Sequence, residues 1–169
     1  MIILIIGKTG AGKTTYGQKL SKKIKGQLFS IDNWMTGLYW QDMPENVDIK
    51  WFQENQLWYH QRIQRCEDLM TAVIKNLASV GVPCLLDLGF TNSKHRLKYI
   101  EMANNLKCKI EIHHLEAGDN ERWQRVQRRN QEKGSTYTMH VSKEMIAAMD
   151  PIFEPPQDQE IPYLQSPQL

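Results

Sequence analysis

Cysteines and long apolar runs are scarce in this sequence, and each scarcity argues against a class of protein. The three cysteines, Cys66, Cys84 and Cys108, are odd in number, widely spaced and never in a CxxC pair. Such a pattern favours free thiols in a reducing compartment over a disulfide framework or a zinc site. No apolar run approaches the roughly 20 residues of a membrane-spanning helix. We therefore expect neither a disulfide-stabilised protein nor a membrane protein.

The chain also lacks a strong excess of one charge. Its 21 Lys and Arg residues face 19 Asp and Glu residues, which gives a formal net charge of +2. So small an excess says little about partners, and local clusters of charge are more informative. The apolar run Met1–Ile6 is too short for the core of a signal peptide and has no basic residues before it. We expect a cytoplasmic protein without a leader, and its 169 residues predict one domain over 1–169.

Short apolar runs alternate with helical patterns along the chain. The predicted strands are Ile2–Ile6, Gln27–Ile31, Cys84–Leu88, Lys109–Leu115 and a short edge strand at Ile161–Leu164. The predicted helices are Lys13–Lys25, Trp51–Ala78, Asn92–Leu106, Asn120–Lys133 and Ser142–Met149. The stretch 33–50 shows no clear period. Alternation of this kind predicts an α/β fold in three layers, with a parallel sheet of four to five strands between helices.

Two local features of the helices are also predicted from the pattern. Residue spacing of three and four predicts one buried face on the long helix, formed by Ile63, Cys66, Met70, Val73 and Leu77. Ser93 is the predicted N-cap of the helix that follows the third strand.

The segment GKTGAGKT, residues 7–14, matches the phosphate-binding pattern GxxxxGK[ST] between a predicted strand and a predicted helix. Its four fixed positions arise by chance roughly once in tens of thousands of start points. Glycines let successive N–H groups turn inward toward an anion, and the helix adds the positive end of its dipole. Lys13 is long enough to reach β- and γ-phosphates, and the Thr14 hydroxyl suits Mg²⁺. The predicted phosphate-binding residues are Gly7, Thr9, Gly10, Ala11, Gly12, Lys13, Thr14 and Thr15.

Two aspartates follow predicted strands at the edge where ligands bind to parallel sheets. Asp32, after the second strand, is placed to accept the proton of a substrate hydroxyl that attacks the γ-phosphate. It also suits a cap of the next segment. Asp87 ends a strand beside the phosphate loop. This position is typical of a residue that binds Mg²⁺ or holds a water molecule. Asp87 equally suits substrate orientation or a hydrogen bond to the loop, and the pattern leaves open which aspartate is the base.

An arginine-rich segment lies in the predicted helix Asn120–Lys133. Arg122, Arg125 and Arg129 fall within about 60° of one another on a helical wheel. We expect Arg125 and Arg129 to belong to a lid, at about 118–142, and to neutralise charge on the transferring phosphoryl group. Arg122 and Arg128 are predicted to lie on a solvated face. Only Trp123 is available there for base stacking, so nucleic acid binding is less expected.

Together these motifs resemble the small P-loop kinases often labelled AAA-type ATPases, a group close to zeta toxins, chloramphenicol phosphotransferase and the kinase domain of polynucleotide kinase. The resemblance covers about residues 1–160. It is carried by the phosphate loop, Ser30-Ile31-Asp32, Asp87 with Phe90-Thr91 and Arg96, the run from Arg125 to Asn130, and Phe153-Glu154-Pro155-Pro156. It implies a nucleoside- or nucleotide-kinase-like P-loop NTPase fold with a helical lid.

The resemblance also implies an activity, the transfer of the γ-phosphate of ATP to a hydroxyl group with Mg²⁺ as cofactor. By this likeness Asp32 is the general base, and Lys13 with Arg125 or Arg129 stabilises the transition state. Thr14 is a Mg²⁺ ligand by the same likeness, and the position of Asp87 makes it the second candidate ligand.

The acceptor is the least defined part of this prediction. Relatives that act on phosphorylated or polynucleotide substrates often carry an arginine just after the base, where this chain has Asn33-Trp34-Met35-Thr36. A less charged small molecule is therefore favoured. The aromatic residues of 34–58 suit either an apolar pocket or core packing; they are Trp34, Tyr39, Trp40, Trp51, Phe52 and Trp58.

Two alternatives stay open. One is a kinase that acts on a polynucleotide 5′-hydroxyl or a nucleotide sugar, and the other is a nucleotide-dependent switch ATPase without an acceptor. The chain is short for the two-domain AAA machines, and it lacks the Asn-Lys-x-Asp sequence with which GTPases read their base.

Overall fold

The computed structural model describes residues 1–44 and 47–167. The strands are β1 (Ile2–Ile6), β2 (Gln27–Ser30), β3 (Cys84–Asp87), β4 (Ile110–His114) and β5 (Leu164–Gln165). The helices are α1 (Lys13–Ile24), α2 (Ile31–Tyr39), α3 (Ile49–Glu54), α4 (Gln56–Ser79), α5 (Ser93–Asn105), α6 (Asp119–Glu132) and α7 (Lys143–Met149). Single 3-10 turns lie at Trp40–Asp42, Asp150–Ile152 and Ile161–Tyr163.

The five strands form one parallel sheet in the order β2-β3-β1-β4-β5. In the register of the sheet, Ile2 lies opposite both Cys84 and Ile110, and Ser30 lies opposite Asp87. Because all strands run the same way, their carboxyl ends meet at one edge. The residues that follow Ile6, Ser30 and Asp87 are therefore brought together there. The predicted parallel sheet and three-layer architecture are confirmed.

Side chains alternate between the two faces of β1 and so serve two hydrophobic clusters. Ile3 and Ile5 pack with Tyr16 and Leu20 of α1. The opposite face of β1 packs against α2, α4 and α5 in the larger cluster. Burial on both faces explains why the first strand is a continuous apolar run. Among the described residues, no helix is long and apolar enough to span a membrane.

The stretch 33–50, predicted to lack a regular period, contains two helices. Helix α2 begins at Ile31, because the Ser30 hydroxyl caps it by accepting the Asn33 N–H at 3.4 Å. Strand β2 consequently ends at Ser30 and not at Ile31. Helix α3 is capped in the same way, with the Asp48 carboxylate accepting the Trp51 N–H at 2.8 Å. Positions 45 and 46 lie outside the described residues.

The predicted helix Trp51–Ala78 is two helices, α3 and α4, which meet at Asn55. The Asn55 side chain donates to the Trp51 carbonyl at 2.9 Å. The buried face of α4 also differs from the prediction, since it continues from Met70 to Ile74 while Val73 is 40 % exposed. Both residues are apolar and adjacent, so composition alone did not distinguish the two faces.

The remaining elements differ from the prediction mainly at their ends. Asn92, and not Ser93, is the N-cap of α5, and its side chain accepts the His95 N–H at 2.9 Å. The predicted C-terminal edge strand exists, but it starts at Leu164 after a 3-10 turn.

Candidate active site

The phosphate loop leaves the central strand β1 and enters α1. Its glycines Gly7 and Gly10 have positive φ angles of 142° and 81°. A β-carbon at Gly7 would collide with the Leu115 carbonyl, and one at Gly10 would lie 2.7 Å from the Arg122 carbonyl. The loop is thus held against the end of β4 and against α6, and only glycine fits at these two positions.

Lys13 and Thr14 are oriented by short hydrogen bonds. The Lys13 ammonium donates to the Gly7 carbonyl at 2.9 Å and to the Lys8 carbonyl at 3.2 Å. The Thr14 hydroxyl donates to the Asp87 carboxylate at 2.9 Å. These bonds place a cation above the loop and join α1 to the end of β3.

An open cleft of about 500 Å³ lies over the loop. The predicted site residues that line it are Thr9, Gly10, Ala11, Gly12, Lys13, Thr14, Thr15, Asp32, Asp87, Arg125 and Arg129. Gly7 does not line the cleft and contributes a carbonyl that holds Lys13. Residues predicted from four separate segments therefore meet at one cleft.

Asp32 lies in the first turn of α2, two residues beyond the strand end where it was predicted. Ser30, and not Asp32, caps this helix. The Asp32 side chain is exposed to the cleft. Protein atoms surround its carboxyl group on the side away from the cleft, and this burial raises its pKa. The positive charges of Lys13 and Arg129 lower the pKa and partly offset the effect of burial.

Asp87 is a buried residue at the carboxyl end of β3. Burial raises the pKa of its carboxyl group to about 6, against the effect of Lys13 and of the Thr14 hydrogen bond; the charge of Asp32 raises it further. A hydroxyl and a carboxylate at hydrogen-bond distance are hard oxygen ligands that suit Mg²⁺. Within 1–44 and 47–167 there is no group of three or more His, Cys, Asp or Glu that could hold a metal.

The two predicted lid arginines have different surroundings. Arg125 donates one hydrogen bond to the Ala11 carbonyl at 3.0 Å and another to the Glu121 carboxylate. Arg129 is half-buried, and its Nε and one terminal nitrogen have no hydrogen-bond partner among the described residues. Burial lowers the pKa of Arg129, and the charge of Asp32 opposes this effect. Buried guanidinium donors without partners, beside Lys13 in the cleft, fit an anionic ligand.

Arg122, predicted to lie on a solvated face, is only 2 % exposed. It donates to the Thr9 carbonyl at 2.9 Å and forms ion pairs with Asp119 and Asp150. The two carboxylates neutralise its charge and allow it to turn inward. Arg122 and Val126, four residues apart, form the buried face of α6. Arg128 is exposed, as predicted.

A second and smaller cavity adjoins the cleft, and Asp32 lines both. Its walls come from α2, the turn Trp40–Asp42, α4 and the segment after α6. Of the predicted aromatic set only Trp40 lines it, while Trp51 and Trp58 contact each other with ring centroids 5.6 Å apart. Two further lining residues, Met35 and Thr36, lie in the stretch after Asp32 that the sequence connects with the acceptor. The remaining ones were not predicted; they are Met43, Tyr59, Thr138 and Met139.

Comparison with known proteins decides the family. A family model described as an AAA domain matches residues 2–155. The chain belongs to this family. Comparison with curated proteins returns no significant match. The match over most of the chain confirms the predicted membership in the AAA-type ATPase group.

Solved structures agree on the fold. Kti12 from Chaetomium thermophilum, in complex with ADP-AlF3, matches with a TM-score of 0.66 and 14% identity, over 98% of this chain and 89% of that chain. A Chloroflexus aurantiacus protein provisionally assigned as a kinase gives a TM-score of 0.65 at 15% identity, covering 98% and 85%. A gluconokinase from Sinorhizobium meliloti gives 0.58 at 12% identity, covering 97% and 79%. The chain has the P-loop fold of nucleotide-binding kinases and ATPases.

Proposed function

We propose that this protein transfers the γ-phosphate of ATP to a hydroxyl group of a small molecule. The observation that carries the proposal is the position of Asp32, which lines both the phosphate-loop cleft and the adjoining small cavity. A base for phosphoryl transfer must contact the acceptor hydroxyl beside the γ-phosphate. A nucleotide switch has no need of a carboxylate between two cavities.

In the proposed reaction the acceptor oxygen attacks the γ-phosphorus while the bond to the bridging β–γ oxygen breaks. Asp32 accepts the hydroxyl proton, and ADP leaves with the bridging oxygen. A raised pKa makes Asp32 a better proton acceptor near neutral pH than an ordinary carboxylate. Lys13 and Arg129 neutralise charge on the transferring group. Arg125 contacts the rim of the loop and helps to position it.

The residues Thr14 and Asp87 would hold Mg²⁺, which supplies charge neutralisation on the β- and γ-phosphates. The hydrogen bond between them keeps both oxygens on the same side of the cleft. Asp87 lines the cleft but not the small cavity. This difference favours Asp32 over Asp87 as the base.

We place the lid at about 118–142, within a single kinase domain over 1–169. The Asn130 side chain supports this assignment, because it donates to the Val141 carbonyl at 2.8 Å and accepts the Val141 N–H at 3.2 Å. Helix α6 is thereby tied to the segment that follows it. Three free cysteines suit the reducing conditions of the cytoplasm, where we propose that the protein acts.

The test is Mg²⁺-dependent ADP release by wild type, Asp32→Asn and the control Asn33→Ala, with a panel of hydroxyl compounds. The panel contains sugars, nucleotide sugars, phenicol- and aminoglycoside-type alcohols and 5′-hydroxyl oligonucleotides. We expect Asp32→Asn to lower the acceptor-stimulated kcat about 10²- to 10⁴-fold and to leave the Kd for ATP nearly unchanged. Asn33 is adjacent and exposed but lines neither cavity, so its variant should keep activity. Equal turnover of wild type and Asp32→Asn, unaffected by any acceptor, would favour a switch ATPase.

A further inference from the structure

The small cavity beside Asp32 is lined mainly by uncharged side chains, which is unusual beside a site for phosphoryl transfer. Its walls consist of three methionines, two aromatic rings and two threonines, with Asp32 at the junction to the cleft. Trp40 and Tyr59 supply the rings, and no lysine, arginine or histidine is part of the lining that the structure describes. Burial raises the pKa of the Tyr59 hydroxyl, and the nearby charge of Asp32 adds to this effect. Asp32 is therefore the one carboxylic acid in the described lining.

Three cations lie near Asp32 or Tyr59 but do not line the cavity. Lys13 is held by two loop carbonyls, and Arg129 faces Asp32 from the phosphate cleft. Arg62, on the same helix as Tyr59, lies over the Trp58 ring at 3.7 Å and donates to the Trp58 carbonyl at 3.2 Å. Because the proposed reaction assigns Lys13 and Arg129 to the transferring phosphoryl group, a carboxylate or phosphate in the cavity would lie beside the Asp32 carboxyl group with no cation among the described lining residues.

The size of the cavity limits what can enter it. Its interior is about 20 Å³, which is enough for one water-sized group. A cavity of this size has room for the hydroxyl end of an acceptor and not for the rest of the molecule. Methionine is flexible and polarisable, so walls built from Met35, Met43 and Met139 adapt to an apolar surface better than branched side chains would.

We propose that the acceptor is an uncharged hydroxyl compound with an apolar face, and that compounds with a carboxylate or phosphate next to the reacting hydroxyl are rejected. The inference rests on the proposed function and adds the substrate class. Specificity then lies in α2 and in the 138–139 segment, which supply the walls, and not in the phosphate loop.

Matched pairs of probes test the inference, because each pair differs only in one charged group. Phenylethanediol is paired with mandelate, and sorbitol with gluconate. For both pairs we expect the uncharged member to give at least about a tenfold higher kcat/KM for ADP release. Of the two uncharged probes, phenylethanediol should be preferred because it carries the apolar face.

A pair of lysine variants tests the cause of the selectivity. Thr36→Lys places a cation in the lining, and Leu38→Lys places one on the same helix at an exposed position outside it. We expect Thr36→Lys to reduce or reverse the preference within each pair and Leu38→Lys to keep the wild-type preference. Tryptophan fluorescence measures probe binding without turnover. We expect a bound probe to quench the fluorescence of wild type but not that of Trp40→Phe.

The possible failures are distinguishable. Preference for mandelate and gluconate in wild type overturns the inference while the kinase function stands. Equal responses of Thr36→Lys and Leu38→Lys also overturn it, since selectivity would then not come from the cavity. If the uncharged probes quench Trp40 but no phosphorylated product forms with any acceptor of the panel, the proposed function is wrong and the substrate assignment falls with it.

Discussion

Asp87 lies under the phosphate cleft with its carboxyl group removed from water, and this burial shifts its equilibrium toward the neutral form in the folded protein. Its pKa rises from 3.8 to about 6 on folding. Between these values the folded protein binds a proton that the unfolded chain has lost. The free energy of unfolding therefore falls as pH rises through this window and then stays level above it.

We predict that this contribution disappears in Asp87→Asn. Between pH 4 and pH 7 the free energy of unfolding of wild type should fall by about 1–3 kcal/mol more than that of the variant. Urea unfolding of both proteins at several pH values, without nucleotide or metal, measures the difference. Parallel pH profiles for the two proteins would show that Asp87 ionises normally in the fold. Asp119→Asn is the control, because that carboxyl is exposed and its pKa is lowered, chiefly by the hydrogen bond from Arg122.

The charges of these residues suit a site that binds an anionic ligand together with a metal cation. Lys13 and the donors of Arg129 without partners bring positive charge to the cleft, while Asp32 and Asp87 bring negative charge. The cations of the cleft only partly offset the burial of the two carboxyl groups, as their raised pKa values indicate. A triphosphate with Mg²⁺ would supply the missing partners of both signs.

At the scale of elements, Arg122 connects three parts of the molecule. Its guanidinium contacts the Thr9 carbonyl of the phosphate loop, Asp119 of α6 and Asp150 after α7. Helix α6 is therefore fixed relative to the loop by a buried ion pair with a hydrogen bond to the backbone. This contact determines where Arg125 and Arg129 lie relative to the phosphate loop.

We predict that Arg122→Ala weakens both stability and nucleotide binding. Loss of one partner of a buried pair costs about 3 kcal/mol, because Asp150 is left without its cation. The Kd for ATP should rise several-fold through displacement of α6, although Arg122 does not line the cleft. Denaturant unfolding and ATP titration measure the two effects. Arg128→Ala, on the exposed face of the same helix, should change neither; an unchanged Kd for Arg122→Ala would mean that the loop holds its shape alone.

The elements also show which features follow from local sequence. The phosphate loop and strand β1 were predictable because glycine spacing and an uninterrupted apolar run act over neighbouring residues. The start of α2 was marked by Ser30, a good N-cap, but the glycine and proline of 33–50 obscured it. The inward turn of Arg122 depends on Asp150, 28 residues away, so no local pattern predicts it. The small cavity combines residues from 32 to 139 and emerges only on folding.

At the scale of the whole molecule, a buried ion pair connects the C-terminal segment 150–165 to helix α5. Arg96 of α5 and Glu160 are both fully buried and hydrogen-bonded to each other. Glu160 also accepts from the Ser93 hydroxyl at 3.0 Å and the Gln157 N–H at 2.8 Å. The segment then returns to the sheet, where β5 pairs with β4. One carboxylate thus joins helix α5 to the turn that precedes β5.

We predict that Glu160→Gln lowers the free energy of unfolding of the entire chain by about 3 kcal/mol, because the Arg96 charge stays buried without its counterion. Asp158→Asn, two residues away and exposed, is the matched control. If the segment is an integral part of the fold, Glu160→Gln unfolds in one transition with the wild-type dependence on denaturant. Amide exchange then accelerates in β1 and β4 as well as in β5. Acceleration confined to residues 150–165, with an unchanged midpoint, would instead show that this segment docks on an independently stable body.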